Sequence, residues 1–194
     1  SPPLNQTLGN SQMIFGDKSD FAIQAMIEPH LQPPSEPWGR LCIWISGVQI
    51  GDFDDPHCGL YNFHISSQEK LNELNELWMD DFKNLDSIGI WNFLDGILYG
   101  HHGNTEIEDT RTLEETINDS KKYSKFDFLT NWGEMFDRGG KSFILKPPNE
   151  SIKVLNYDYE KEVVTTHQCT EFSFRRASKE FSNWYTQQVL RLEA

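Results

Sequence analysis

Apolar and polar residues alternate in a short segment near the start of the chain. The polar residues Gln24 and Glu28 fall on the face opposite the apolar residues of this segment. A period of two is typical of a strand that is buried on one face. We therefore expect a half-buried strand, ended by the proline-rich residues 29–37. Its apolar positions are Phe21, Ile23, Ala25 and Ile27.

Residues 40–54 (RLCIWISGVQIGDFD) contain two β-rich runs on either side of Ser46 and Gly47. Glycine can supply the positive φ that tight two-residue turns require. This segment therefore predicts a β-hairpin that turns at Ser46 and Gly47.

Three later segments have apolar residues at helical spacing. Ser66 and Glu69 match a capping box and predict a helix of about four turns from that point. A second stripe predicts a helix, although Asp95 and Gly96 within it also fit a hairpin turn. A third predicts a closing amphipathic helix from about Thr170. The stripes are Leu71, Leu74, Leu77, Trp78 and Phe82; Ile90, Trp91, Leu94, Ile97 and Leu98; and Phe174, Ala177, Phe181, Trp184, Tyr185 and Val189.

The second half of the chain has the pattern of a β-meander. Residues 126–136, 141–145 and 151–159 read as strands, with a turn at Pro147, Pro148 and Asn149. The fold class that follows is α+β: an antiparallel sheet packed with two to four helices, including the C-terminal one. We expect residues 13–194 to form a single domain. Residues 1–12 are then a flexible lead or an added segment, and Met13 the native start.

Charge is the strongest compositional feature. The 30 Asp and Glu outnumber the 17 Lys and Arg, so the net charge is −13. Such a field repels nucleic acid and anionic lipid, which excludes both as direct partners and leaves a basic protein as a possible one. The alternative is that the acidity serves solubility alone. Acidic residues are densest at Asp52, Asp54 and Asp55, and at Glu106, Glu108, Asp109, Glu114, Glu115 and Asp119, in a polar segment (residues 100–119) that we expect at the surface and partly helical after Thr110.

Three scattered cysteines, Cys42, Cys58 and Cys169, do not form a disulfide framework, and an odd count suits the reducing cytosol. No apolar run approaches the length of a membrane span. We therefore expect a cytoplasmic protein.

Motifs for catalysis are missing. Residues 51–56 hold three carboxylates, but His57 and Phe63 stand where a calcium loop needs glycine and an acid. The histidine and cysteine pairs lack zinc-ligand spacing, and no nucleophile elbow or phosphate loop occurs. We predict no catalytic residue, metal or cofactor. Two hypotheses of other kinds stay open: a small hydrolase that uses a metal at Asp52, Asp54 and His57, and an intracellular adaptor.

Trp38 and Trp44 form an aromatic cluster in the first half of the chain. Packing in the core is the ordinary role of such rings, but exposed tryptophans anchor interfaces. Trp38, between Pro37 and Gly39 in a predicted loop, is the better candidate for a partner anchor.

Several phrases, in the same order along one chain, resemble the bacterial immunity protein 42 family. They are MIFGDKSDFAI at residues 13–23, the hairpin followed by Gly51 and Asp52, LDGILYG at residues 94–100, NWGEMFD at residues 131–137, and Phe181 with Trp184. The resemblance implies a cytosolic antidote that binds and neutralises a toxin of a polymorphic toxin system, delivered by a contact-dependent, type VI or Rhs-type route. It implies a binder with no catalytic residues. The family resemblance is weakest in residues 100–119, a candidate for pair specificity.

If the resemblance is correct, the acidity has a use. Toxins that act on nucleic acids or nucleotide cofactors tend to have basic clefts, which an acidic inhibitor can cover. We therefore expect the two acidic segments to face a basic cognate toxin, with Trp38 as an anchor. The alternative is an interface elsewhere on the surface.

Overall fold

The computed structural model describes residues 12–128 and 141–194, which contain two main antiparallel sheets and four α-helices. The α+β class is as predicted. The strands are β1 (Met13–Gly16), β2 (Phe21–Ile27), β3 (Trp38–Ile45), β4 (Val48–Ile50), β5 (Cys58–Gly59), β6 (His101–His102), β7 (Thr105–Glu106), β8 (Asp127–Phe128), β9 (Lys141–Leu145), β10 (Ile152–Asp158) and β11 (Val163–Cys169). The helices are α1 (Leu60–Glu73), α2 (Ser87–Tyr99), α3 (Leu113–Tyr123) and α4 (Glu171–Glu193).

Sheet 1 has the strand order β1-β2-β3-β4, and β5 pairs with the beginning of β3. Helices α1 and α4 pack against one face, here called the inner face. Phe181 of α4 lies between Phe15 of β1 and Phe63 of α1, with ring centroids 6.1 Å and 5.0 Å away. Large aromatic rings at these distances form the core between the sheet and the two helices.

Strand β2 has the predicted limits, but the expectation of one solvent-facing side was wrong. Gln24 is only 7% exposed. Trp44 lies on the same face and donates its indole N–H to Gln24 Oε1 at 2.8 Å. The amide is buried because this bond satisfies it, which a pattern of apolar and polar residues does not reveal.

The β3–β4 hairpin is confirmed. Ile45 pairs with Val48, so the turn consists of Ser46 and Gly47, with φ of 50° and 78°. Two consecutive positive φ angles are typical of the type I′ turn, whose twist matches that of the flanking strands.

Sheet 2 has the order β11-β10-β9-β8 and is the predicted meander. The predicted turn after Pro147 is confirmed by a hydrogen bond from Glu150 N to Pro147 O. Helix α2 packs on sheet 2 through Trp91, whose ring stacks on that of Tyr157 with centroids 4.7 Å apart. Strand β11 was missed, although its β-branched start at Val163 was a usable signal. Of the strand predicted at 126–136, β8 lies within the described residues and 129–136 lie outside them.

The capping box predicted at Ser66 was wrong. Helix α1 begins six residues earlier, directly after β5 and without a side-chain cap, so Ser66 lies inside it. The chain then tightens into two 3-10 turns, Leu74–Glu76 and Asp80–Phe82, instead of continuing the helix. Pairing of Gly59 with Trp38 fixes where the helix begins, and such a long-range contact overrides a local cap signal.

The other two predicted helices are confirmed. In α2, Asp95 and Gly96 are helical, and Asp86 caps the first turn by accepting a bond from Gly89 N at 2.7 Å. Helix α4 begins after Thr170, as predicted, and Thr170 Oγ1 accepts a bond from Ser173 N.

The acidic segment is partly ordered against α2. It forms the short β6–β7 hairpin and then α3, which begins after Thr112. The expectation of a helical part after Thr110 is confirmed. Among the described helices, none has the length and apolar character needed to cross a membrane.

Candidate partner-binding surface

The face of sheet 1 opposite the helices, here called the outer face, carries the two candidate tryptophans. Alternation along β3 places Trp38, Arg40, Cys42 and Trp44 on this side, since Leu41 and its inner-face neighbours pack into the core. The Trp38 side chain is 46% exposed and Trp44 is half-buried. At the centre of this face Ala22 and Cys42 are fully buried and Gln24 is nearly so, so a partner can reach the exposed residues at its rim, among them Trp38.

The expectation that Trp38 lies in a loop was wrong. It is the first residue of β3. It pairs in register with Gly59 of β5, and its carbonyl accepts a bond from Glu28 N at 2.8 Å. A backbone fixed on two sides presents the exposed indole rigidly. Rigid aromatic side chains lose little entropy on binding, which suits an interface anchor.

Residues 51–57 form an acidic loop that folds back toward the outer face. Arg40 Nη1 donates to the Asp54 carbonyl at 2.9 Å and lies 4.0 Å from Asp54 Oδ1. The Asp54 side chain is 98% exposed. Thus the backbone of the loop is held against the sheet while the Asp54 carboxylate points to solvent.

The other two carboxylates of this loop shape its backbone. Asp52 Oδ1 accepts a bond from Asp54 N, and Asp55 Oδ1 accepts one from His57 N, both at 2.9 Å. The Asp55 side chain is only 12% exposed and lies 3.3 Å from His57 Nδ1. Asp52 and Asp55 therefore set the loop conformation, and Asp54 is the carboxylate most available to a partner.

The metal-dependent hydrolase hypothesis finds no supporting geometry here. Asp52 and Asp55 are engaged in local turns, and within residues 12–128 and 141–194 no three His, Cys, Asp or Glu side chains are grouped as a metal site would need. Burial raises the pKa of Cys42 to about 12 and that of Cys58 to about 11. Both thiols stay protonated at neutral pH, the form that is a poor nucleophile.

The second acidic segment, residues 106–119, is organised by Arg111. Its guanidinium bonds Asp109 and Asp119 at 2.9 Å each and donates to the carbonyl of Ile97 on α2 at 2.9 Å. Hydrogen bonds from Arg111 lower the pKa of Asp109 to about 2. One cation thus compensates two of the predicted partner-binding carboxylates and fixes the segment to α2.

The remaining acids of this segment differ in availability. Glu115 completes a capping box with Thr112, its carboxylate accepting from Thr112 N at 3.0 Å. Glu106, Glu108 and Glu114 have exposed side chains. In the described part of the chain, no hydrogen bond or ion pair joins this segment to the 51–57 loop. The first acidic segment is held to β3, the strand of Trp38, through Arg40, and the second is held to α2 through Arg111.

Sequence reasoning missed a cavity of about 320 Å³ between α1, α4 and residues 34–37. Its aromatic lining is Tyr61, His64 and Tyr185. Tyr61 and His64 are spaced as neighbours on one helix face, but their pairing with a residue of α4 depends on the tertiary fold.

Comparison with known proteins now adds to this geometry. Residues 13–184 match the family model described as immunity protein 42. The chain belongs to the immunity protein 42 family. The resemblance noted in the sequence is confirmed, and the protein is an immunity protein of a toxin system.

A solved structure shares the fold of this member of the immunity protein 42 family. A crystal structure of CdiI from Burkholderia dolosa AUO158 superposes with a TM-score of 0.54, covering 87% of this chain and 97% of that chain at 13% sequence identity. At that identity the likeness concerns the fold alone. A search of curated proteins gave no match.

The family match spans β1 to most of α4, so it includes the outer face, the 51–57 loop and residues 106–119. For a member of the immunity protein 42 family, a cognate toxin is the expected partner. The surface described above is therefore a candidate for the toxin interface.

Proposed function

We propose that the protein neutralises its cognate toxin by binding it through the outer face of sheet 1 and the 51–57 loop, with no reaction of its own. The observation that carries this proposal is that exposed Trp38 shares one side of β3 with Arg40, which holds the loop that carries the exposed Asp54 carboxylate. Exposed tryptophans recur at the energetic centres of protein interfaces, and charged side chains at their rims.

The toxin that fits this surface is basic and acts on nucleic acid or a nucleotide cofactor. The net charge of −13 supports this, because a negative inhibitor is attracted to a positive substrate cleft. The toxin reaches the cytosol by a contact-dependent, type VI or Rhs-type route, and the immunity protein acts there.

The two acidic segments contribute differently. Asp54 is held by Arg40, two residues from Trp38 on the same side of β3, and contacts the toxin directly, whereas Glu106, Glu108 and Glu114 attract it from a distance. Exposed charges raise the association rate more than the lifetime of a complex, so the lifetime depends on the buried contacts around Trp38. A standard interface of about 1,600 Å² extends beyond Trp38 and the loop to neighbouring parts of sheet 1.

The test is co-purification with the toxin encoded beside this protein, followed by association and dissociation rates at low and high salt. We expect Trp38→Ala to raise the dissociation rate at least tenfold with little change in association. Asp54→Lys slows association and weakens its salt dependence. Glu160→Lys, the same charge change in the exposed β10–β11 turn, is the matched control.

Three results would contradict the proposal. If no complex forms with the toxin encoded beside this protein, the assignment of that toxin as partner is wrong. If the association rate is equal at low and high salt, electrostatic attraction does not drive binding. Dissociation that is unchanged in Trp38→Ala places the interface elsewhere.

A further inference from the structure

The cavity that Pro37 lines has the composition of a cation-binding pocket. Its lining includes the His64 and Tyr185 rings, which stack on each other with centroids 4.5 Å apart and an interplanar angle of 21°. Ser182 Oγ lies 3.1 Å from His64 Nδ1 and fixes the imidazole. Tyr61, 49% exposed, forms one wall and Pro37 another. The faces of such rings carry partial negative charge that attracts a cation.

Two carboxylates lie at this pocket, Glu36 from the proline-rich segment and Glu193 from the end of α4. Both side chains are exposed, and neither has an ion-pair partner in the described part of the chain. The C-terminal end of α4 adds partial negative charge from its last carbonyls. The lining contains no Lys or Arg, and Arg191 nearby is directed to Gln188 Oε1 at 3.3 Å.

The His64 and Tyr185 rings are uncharged at neutral pH. Burial lowers the pKa of His64. Burial first, and then the negative charge of Glu36, raise the pKa of Tyr185. A neutral imidazole and a neutral phenol therefore face the cavity, and neither repels a cation.

The size of the cavity limits its occupant. A volume of about 320 Å³ lies at the lower end of the range for ligand pockets, about 300–1,000 Å³. This suits one long side chain. A planar guanidinium stacks on aromatic rings and pairs with carboxylates at the same time, which the compact ammonium of lysine does less well.

We propose that this pocket receives the guanidinium of an arginine side chain of the cognate toxin, packed against its aromatic lining and paired with Glu36 and Glu193. The proposal rests on the function proposed above and extends its interface. The pocket lies on the side of α1 and α4, and Trp38 lies on the outer face. Pro37 lines the pocket and directly precedes Trp38, so the interface would continue around this edge of sheet 1.

The pocket is tested first without the toxin. N-acetyl-arginine amide is titrated into the protein while the His64 and Tyr61 ring resonances are followed by NMR, with the uncharged N-acetyl-citrulline amide as the isosteric control. We expect saturable shifts with the arginine amide, at least fivefold weaker binding of the citrulline amide, and loss of the arginine response in the variant Glu36→Gln/Glu193→Gln. Equal responses to both amides, or no response of these rings, overturn the proposal.

The second test uses the toxin and the same double variant. Its Kd should rise at least tenfold, while Glu76→Gln/Glu160→Gln, which removes two exposed charges far from the pocket, changes Kd less than twofold. One toxin arginine, replaced by alanine, should weaken binding to the wild type and have no further effect on Glu36→Gln/Glu193→Gln. Equal affinity of both double variants overturns the pocket proposal and leaves the proposed function standing. If the wild type binds no toxin, the proposed function is refuted, and a toxin arginine cannot be the occupant of the pocket.

Discussion

Asp20 joins the start of the chain to the start of its last helix, and its replacement should destabilise the fold measurably. Asp20 Oδ1 accepts a bond from Thr170 N at 2.8 Å, and Asp20 Oδ2 accepts from Thr170 Oγ1 and Ser173 Oγ at 2.6 Å each. The contact connects residues 150 positions apart. It places a carboxylate at the N-terminus of α4, where the helix dipole favours negative charge.

The magnitude follows from these bonds and from their partial exposure. Hydrogen bonds to a charged group contribute about 1.5–3 kcal/mol each when buried, but half-exposed partners regain water when the bond is lost. Removal of a capping side chain typically costs about 1 kcal/mol. We therefore expect Asp20→Ala to lower the free energy of unfolding by about 2 kcal/mol, which corresponds to a Tm lower by about 4–8 °C for a chain of this size.

The assay is urea unfolding followed by tryptophan fluorescence, with Asp17→Asn as the control in the same turn. The hydrogen bonds that the Asp17 carboxylate accepts come from Ser19, two residues away, so the control should shift the midpoint much less. Equal midpoint shifts for Asp20→Ala and Asp17→Asn would refute the reasoning, because the long-range bonds would then add nothing.

The same interaction predicts a pH dependence. Burial acts to raise the pKa of Asp20, but hydrogen bonds from Ser173 and Thr170 outweigh it and lower the pKa below its ordinary value. The stabilisation is therefore present in full above the unfolded pKa of about 4 and is lost as the pH falls through the lower folded value. The stability difference between wild type and Asp20→Asn should be constant from pH 6 to 8 and shrink below pH 4.

Three further predictions concern the core. Lys141→Met should lower the free energy of unfolding by about 3–5 kcal/mol in urea denaturation, because it leaves the buried Asp95 carboxylate, 2.7 Å from Lys141 Nζ, without its cation; a loss below 1 kcal/mol would contradict this. Gly103→Ala should lower the free energy of unfolding by about 2–4 kcal/mol in the same assay, because the φ of Gly103 is +65° and an added Cβ would lie 2.6 Å from the Tyr157 ring. An unchanged urea midpoint would refute that close contact. The three buried cysteines should react with a thiol reagent in the native state at least a hundredfold more slowly than in urea, and comparable rates would mean that the thiols are accessible.

Local patterns predicted those elements whose cause is local. The hairpin at Ser46 and Gly47 needs only a two-residue turn between β-rich runs, and α4 needs only its stripe and the cap at Thr170. The start of α1 was misplaced because a strand pair between Trp38 and Gly59 determines it. Contacts between distant parts of a chain are invisible to periodicity.

The candidate surface was predictable in part, because some of its residues are close in sequence. Trp38 and Asp54 stand on either side of the predicted hairpin, which can bring them to one face of the sheet. The aromatic pocket was not predictable, because Tyr61 and Tyr185 meet only when α1 packs on α4. Composition showed that acidic residues are abundant, but not that Arg111 compensates Asp109 and Asp119.

Hydrogen–deuterium exchange of the immunity protein, alone and bound to its toxin, tests the central claim most directly. The account predicts that toxin binding slows amide exchange in residues 38–45 and 51–57, and that the β10–β11 turn at Glu160 exchanges at the same rate in both states. Protection confined to sheet 2 or to residues 106–119, with unchanged exchange along β3 and the 51–57 loop, would contradict it.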